Sequence, residues 1–460
     1  MSLVSRHPTE SESRAETPAE RGGVREVFDL AYPVVLTTLS TTAMGVVDSA
    51  MVGRLGATEL AAVGFGGVWL WTLFALFFGA GTGVQTFVSQ ADGAGDPHTC
   101  GAWVWHALYA LAPAIVALLL IVAALLAPWV AWMGPSEALG RGAIGYIGAR
   151  LPGELGVLVG MTAASFFRGL GDTRTPLYAT LAGNVVNAVL DYGLIFGALG
   201  MPALGVTGAG LATSVGHWVV GIAMLVLLLR PAMRERYGTA PAALDVRQIR
   251  RFLRTGAPIG GEWFLGMTSF AVFTTLVARM GDLEMAASQV FIVLLSLSFM
   301  QAMGISMAAA TLVGRYVGAG DPEAAERSFR ASVKLGAGLG VLIAALFLAF
   351  PGPLIHLFTD DPRVIALGAP LLAMGALFQL FDAIGIIAEG ALRGAGDTRW
   401  PFLAHTVAGW GFFVPAAWTL GIGLGFGLFG AWCGGLFYVI ALATVMVRRF
   451  RSGAWRGITI

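Results

Sequence analysis

From Phe28 to about Val447 the chain is a succession of long apolar runs separated by short polar turns. Twelve runs can be read, at about 28–53, 60–88, 103–133, 142–167, 177–199, 206–229, 251–278, 285–314, 331–357, 364–392, 401–421 and 426–447. A helix crosses the hydrocarbon core of a bilayer, about 30 Å thick, with about 20 apolar residues. Every run meets that length. Composition closes the main alternative. The 460 residues are 57% hydrophobic and 12% charged, with a mean hydropathy of +0.77. A water-soluble fold would lack the polar surface to cover such a core, and a disordered chain is excluded on the same ground. The predicted fold is therefore an all-α integral membrane protein with twelve transmembrane helices. Its 64 glycines fit helices that approach closely in lipid. A net charge of +1 argues against nucleic acid as a partner. Two cysteines, Cys100 and Cys433, are too few for a disulfide framework or a structural zinc site.

The apolar part is a duplication. Arg168-Gly-Leu-Gly-Asp-Thr-Arg-Thr-Pro176 returns as Arg393-Gly-Ala-Gly-Asp-Thr-Arg-Trp-Pro401, with seven of nine positions identical at an offset of 225. Gly93-Ala-Gly-Asp-Pro97 returns as Gly318-Ala-Gly-Asp-Pro322, Pro33 as Pro258, and Arg54-Leu-Gly as Arg279-Met-Gly, all at the same 225. Each half holds six spans, and an even number keeps both halves in one orientation. That is a parallel repeat about an axis along the membrane normal, hence two pseudo-twofold-related lobes. The expected organisation is a disordered cytoplasmic tail at 1–27 without a signal peptide, an N-lobe at 28–229, a cytoplasmic linker at 230–250, a C-lobe at 251–447 and a cytoplasmic tail at 448–460. Basic residues set the orientation. With both termini inside, 23 of the 28 Lys and Arg fall on the inner side, leaving Arg54, Arg141, Arg150, Arg279 and Arg363.

No zinc-protease HExxH, phosphate-binding Gly-Lys-Ser/Thr loop or His/Cys cluster at metal spacing occurs, so an enzyme is not expected. The informative residues are acids inside apolar runs: Asp48, Glu154, Asp191, Glu262, Asp382 and Glu389. A charge at bilayer depth costs a few kcal/mol unless it faces a cavity or a partner. Structural hydrogen bonds or helix capping are the plain explanation. Against it, Asp48, Asp191, Glu262 and Asp382 fall opposite Phe273, Ala416, Thr37 and Val157 at the repeat offset. The scaffold is duplicated while these acids are private to one half, as expected of residues placed for a site. Asn184, Asn187 and Asp191 share one helix face, and so do Gln379, Asp382 and Glu389. Either stripe is a binding surface or a polar seam between helices. The two Arg-Gly-x-Gly-Asp-Thr-Arg turns read as scaffold, with Gly ending one helix and Pro starting the next. Arg150 either snorkels outward or pairs with Glu154 one turn on.

The residues just described resemble the multidrug and toxic compound extrusion family, closest to its DinF-like branch, over about 28–450. Val47-Asp-Ser-Ala-Met-Val-Gly-Arg-Leu-Gly56 is similar to the family's first-helix signature, and Pro33 to its helix-bending proline. Asn184-Val-Val-Asn-Ala-Val-Leu-Asp-Tyr192 is similar to its fifth-helix pattern. Gln379-Leu-Phe-Asp-Ala and Leu392-Arg-Gly-Ala-Gly-Asp-Thr-Arg399 are similar to its tenth-helix segment. The resemblance implies a V of two six-helix lobes that exports organic, often cationic, compounds against an inward flow of protons or sodium ions. It places Asp48, Asn187, Asp191 and Thr213 on an N-lobe cation site and Asp382 on a C-lobe acidic position. The family's seventh-helix acid falls one turn later, where this chain has Gly266; Glu262 shares that face.

The expected function is a secondary multidrug antiporter of the plasma (inner) membrane, a monomer with no cofactor beyond the coupling ion, H+ or Na+. Sodium, where used, is expected at Asp48/Asp191 or Glu262/Asp382. A lipid or lipid-linked sugar flippase would prefer an Arg-rich cavity. A membrane-embedded enzyme or a channel is the alternative of another class.

Overall fold

The computed structural model describes residues 22–133 and 136–460. Most of the expected N-terminal tail lies outside the described residues. The helices are α1 (Val24–Gly53), α2 (Ala57–Thr82), α3 (Val84–Gly93), α4 (Cys100–Trp132), α5 (Glu137–Gly169), α6 (Arg174–Phe196), α7 (Gly205–Leu228), α8 (Pro231–Tyr237), α9 (Val246–Ala278), α10 (Asp282–Gly318), α11 (Pro322–Ala349), α12 (Pro351–His356), α13 (Pro362–Gly394), α14 (Arg399–Ala408), α15 (Val414–Trp418) and α16 (Gly427–Arg451). No strand occurs among the described residues. Ten helical stretches are long and apolar enough to cross a membrane, counting α2 and α3 as one. The charge-bearing α5 and the run from Arg399 to Gly423 complete twelve spans.

The duplication is visible in helix boundaries. Ala57–Gly93 and Asp282–Gly318 are displaced by 225 at both ends, and so are α5 and α13. Contacts repeat as well: α5 packs on α2 and α7, and α13 packs on α10 and α16. Across the molecule α1 meets α10 and α2 meets α9, two contacts that exchange under the pseudo-twofold. Glycine makes the second of these possible. A Cβ on Gly79 of α2 would stand 2.9 Å from the Cα of Gly260 on α9, so the two backbones touch.

Three departures from the sequence expectation have physical causes. Helix α1 starts at Val24 rather than Phe28, and Glu26 in its first turn accepts the Gly22 amide N–H at 2.8 Å. The 230–250 segment is not all loop. It contains α8 and the first turn of α9, where Asp245 caps two amides, and it lies against α4 through Trp105 Nε1 to Thr239 O (3.0 Å) and Tyr109 OH to Ala242 O (2.9 Å). The eleventh span is broken into α14 and α15 by two π-turns, Gly409–Phe413 and Thr419–Gly423. Pro415 and four glycines (409, 411, 421 and 423) weaken the regular ladder there.

The lobes meet tightly at one end of the helices and part at the other. At the joined end, Thr86 Oγ1 donates to Arg393 O (3.0 Å) and Gln90 Nε2 to Gly394 O (2.9 Å). From the other lobe, Thr311 Oγ1 donates to Arg168 O (2.9 Å) and Arg315 Nη2 to Leu170 O (2.8 Å). Thr86 and Thr311, Gln90 and Arg315, and Arg168 and Arg393 are repeat mates at 225. Gly93 and Gly318, another pair of mates, let α3 and α10 cross backbone to backbone. The Arg-Gly-x-Gly-Asp turns thereby tie the lobes together, because the carbonyls at the C-termini of α5 and α13 accept hydrogen bonds from the opposite lobe. Towards the far end α1 is less covered, though Ser40 still meets Asn184 and Thr42 still meets Met300. Between Val34 and Val52, Asp48 is its only buried residue.

Candidate functional site

Asp48 is buried because α1, otherwise bare at that level, leans one face on α6 and α7. Thr213 of α7 donates its hydroxyl to Asp48 Oδ2 at 3.4 Å and to Ala209 O at 2.8 Å. Asn187 and Asp191, one turn apart on α6, are 0% exposed. The Asp48 and Asp191 carboxyls are near neighbours, with Asn187 beside Asp191, and no hydrogen bond joins the three among the described residues. Asp48 Oδ1, both Asp191 oxygens and both polar atoms of the Asn187 amide are buried without a partner among the described residues. An unsatisfied buried polar atom costs about 1–3 kcal/mol, more when charged. Five in one place are not scaffold; two facing carboxyls with an amide form an oxygen-rich seat for a proton or a small hard cation.

Asn184 does not join this seat. Its Nδ2 donates to Ser40 Oγ of α1 at 2.7 Å, so that end of the stripe is a seam between helices. Arg150 does pair with Glu154, at 3.3 Å, and also reaches the Tyr146 hydroxyl at 3.1 Å. Pro33 sits inside a continuous α1, followed by Thr37 and Thr38, whose hydroxyls bond back to Pro33 O (2.7 Å) and Val34 O (3.0 Å).

The C-lobe acids are arranged differently. Glu262 Oε1 of α9 accepts from Arg393 Nη2 of α13 at 2.8 Å and lies 3.3 Å from His405 Nε2 of α14. His405 Nε2 is 2.9 Å from Glu389 Oε2, and its Nδ1 is 3.1 Å from the Tyr438 hydroxyl on α16. Arg393 also pairs with Glu389 one turn before it. Glu262 Oε2 and Arg393 Nε remain buried without a hydrogen bond. Glu262, Glu389 and His405 each offer an atom within 4.8 Å of the others, close enough to hold one cation.

This corrects the expected pairing of Glu262 with Asp382. Asp382 precedes Glu389 by two turns, about 10 Å along the helix axis, and Glu262 meets α13 at the level of Glu389. Asp382 is half-buried, forms no hydrogen bond or ion pair among the described residues, and feels Glu389 and His405 only through space. Gln379, 2% exposed, turns to Leu295 O on α10 at 3.5 Å. Of the stripe on α13, only Glu389 joins the cluster. Sequence reasoning missed His405 and Tyr438, and it read Arg393 only as a turn residue. The Glu389/Arg393 spacing of four was the one available signal.

The MatE family model matches this chain twice, over residues 33–193 and 258–419, one match per half. The probable multidrug resistance protein NorM of Thermotoga maritima is 31% identical over 435 residues, which are 94% of this chain and 93% of the relative. The multidrug resistance protein NorM of Burkholderia vietnamiensis is 32% identical over 432 residues, 92% of each. Among solved structures, MATE in the bent conformation superposes with a TM-score of 0.86 at 20% identity, covering 94% of this chain and 96% of that one. The eukaryotic MATE transporter AtDTX14 gives 0.82 at 19% identity, covering 94% and 96%. Two matches of one family model, placed on the two lobes, and relatives aligned over nearly the whole chain lead to one conclusion: the chain belongs to the MatE family of multidrug and toxic compound extrusion proteins, which are transporters and not enzymes.

Proposed function

We propose that the protein is a secondary active multidrug efflux antiporter, exporting organic, often cationic, compounds in exchange for protons or sodium ions. The observation that carries this reading is the Asp48–Asp191–Asn187 group, with five buried atoms unpartnered among the described residues, on a stretch of α1 that is otherwise not buried. Two carboxyls so close in a low dielectric resist ionising together, so they take up one proton jointly or stay ionised around one cation. Uptake there changes the charge of the cleft wall. Substrate and ion then favour different states of the lobes, and rocking about the joined end exchanges one for the other. One charge moving across 100 mV supplies about 2.3 kcal/mol, roughly a fiftyfold concentration ratio.

The second acidic group, Glu262–Glu389–His405, already holds Arg393 as an internal cation. This favours the N-lobe group as the coupling site. Residues 28–229 and 251–447 act as the two moving bodies and 230–250 as their tether. The joined end, rich in Arg, faces the cytoplasm with both termini, in the plasma (inner) membrane, and the monomer suffices because each group lies within one lobe.

The test is transport of ethidium in proteoliposomes under separately imposed proton and sodium gradients. Wild type should export against one or both, and Asp48→Asn should export under neither while keeping its thermal stability. Full activity of Asp48→Asn together with loss in Asp382→Asn would move coupling to the C-lobe. Full activity of both would remove the residue-level basis for antiport.

A further inference from the structure

At the Arg-rich end, outside both acidic groups, lies a cavity of about 610 Å³ between the start of α9, the start of α14, the end of α16 and residues 458–460. Four arginines line it, Arg251, Arg254, Arg399 and Arg449, with a single side-chain carboxylate, Asp397. Asp397 is already taken, by Arg449 Nε at 2.7 Å. Arg251 stands over the Trp103 ring at 5.3 Å and donates to Ile460 O. Arg254 and Arg399 are exposed and have no hydrogen bond or ion pair among the described residues. Among its side chains the lining thus sets four arginines against one carboxylate, and the guanidinium forks of Arg254 and Arg399 are free. Arginine forks of this kind match the paired oxygens of a phosphate.

The surface beside the cavity is apolar. Trp400, Leu403, Val407 and Trp410 are 38%, 53%, 68% and 40% exposed. Spaced three, four and three residues apart, they form one stripe that leads from the cavity along α14 towards the middle of the span. A free phosphate has no use for that stripe; an amphiphile with an anionic head does. The cavity also lies at the end of the spans, at the depth where headgroups sit.

We propose that this cavity is a binding site for the phosphate headgroup of an anionic phospholipid, held by Arg254 and Arg399, with an acyl chain lying along the Leu403–Val407 stripe. The ligand joins α9, α14 and α16 beside the Gly394 turn, whose carbonyl accepts the Gln90 hydrogen bond from the other lobe. The site is separate from the ion-coupling group, and its test does not depend on transport.

The experiment uses the full chain in a neutral detergent, titrated with short-chain phosphatidylglycerol, short-chain phosphatidylcholine, or inorganic phosphate. Thermal stability and native mass spectrometry read binding. Phosphatidylglycerol should raise the melting temperature and appear as a bound adduct, while phosphatidylcholine and inorganic phosphate at equal concentration should do neither. Arg254→Ala/Arg399→Ala should weaken phosphatidylglycerol at least about tenfold, two basic groups near a lipid phosphate being lost. Arg54→Ala/Arg279→Ala, at the opposite end, should leave binding unchanged. If the first pair fails to fold, Leu403→Asp read against phosphatidylglycerol tests the chain slot instead, with the same loss expected. Equal effects of the two lipids, equal loss in both arginine pairs, or full stabilisation by inorganic phosphate alone would each overturn the proposal.

Discussion

Replacing Thr86 and Thr311 by valine should loosen the joined end of the lobes without touching either acidic group. The two residues are repeat mates, 3% and 1% exposed, and each donates its hydroxyl across the lobe interface, to Arg393 O at 3.0 Å and Arg168 O at 2.9 Å. Valine keeps the branched shape and removes the donor; at Thr311 it also removes the acceptor of Gln85 Nε2 (2.9 Å), which keeps its bond to Met307 O at 2.9 Å. Each carbonyl retains a second bond, from the amides of Gly396 and Gly171, both at 2.9 Å, so neither acceptor is stranded. The loss per site is then that of an ordinary hydrogen bond, about 0.5–1.5 kcal/mol, and about 1–3 kcal/mol for the pair. Spent on a two-state equilibrium, that moves the ratio of closed to open at this end by roughly 5- to 150-fold. Spin labels on Glu235→Cys and Arg330→Cys, both exposed at this end, in a background without Cys100 and Cys433, would read the opening as a longer inter-label distance. The single variants should add up to the double, with Thr311→Val the larger because it also loses the Gln85 bond. An unchanged distance distribution in the double variant, with normal expression, would refute the idea that helix-end carbonyls latch the lobes.

Further outcomes follow from the same geometry. Arg393→Met should lower thermal stability sharply, by about 3–5 kcal/mol, because Glu262 and Glu389 are left without their buried counter-charge; adding Glu389→Gln should recover part of it, and a melting curve no different from wild type would contradict the ion-pair reading. Asp397→Asn should cost stability through its 2.7 Å partner Arg449, whereas Asp172→Asn keeps an oxygen for the Thr175 amide (3.0 Å) and should cost little, and Asp172→Ala, which loses the cap, should cost about 1 kcal/mol; denaturation of the three variants side by side checks the difference. Arg236→Cys, in a chain lacking the native cysteines, should resist a membrane-impermeant thiol reagent applied to intact cells, and ready labelling would reverse the proposed orientation.

Much of the fold was legible because lipid leaves few choices. A run of some twenty apolar residues has to satisfy its own backbone, so it becomes a helix, and a repeat of 225 residues fixes which helices are related. The failures are local: proline and glycines unwinding the eleventh span, and a linker that the aromatic edges of α4 draw into contact. The N-lobe group was legible for a related reason. Charge inside a span is expensive, so Asp48 and Asp191 announce themselves, and α6 geometry puts Asn187 beside them. Which of their neighbours turn away, as Asn184 does to Ser40, depends on the crossing of two helices and leaves no mark on spacing.

The C-lobe cluster shows where the duplication misleads. Arg393 and its mate Arg168 sit in nearly identical turns, and a residue present in both halves reads as scaffold. Both do serve as scaffold through their carbonyls. Their side chains part company. Arg168, 8% exposed, has among the described residues Gln85 Oε1 at 3.4 Å and Ser165 Oγ at 2.9 Å as side-chain partners, and no carboxylate. Arg393 has Glu262 and Glu389, whose places in the other half are Thr37 and Ala164, and His405 stands where the N-lobe has Thr180. Thr213, which donates to Asp48 in one lobe, has as its mate Tyr438, which reaches His405 in the other. One duplicated scaffold, with acids at different positions in its two halves, thus carries an acidic pair without an ion-pair partner among the described residues on one side and a neutralised acid–base cluster on the other. That asymmetry is what the proposed coupling at the N-lobe group requires, while the C-lobe keeps its buried charge balanced by its own arginine.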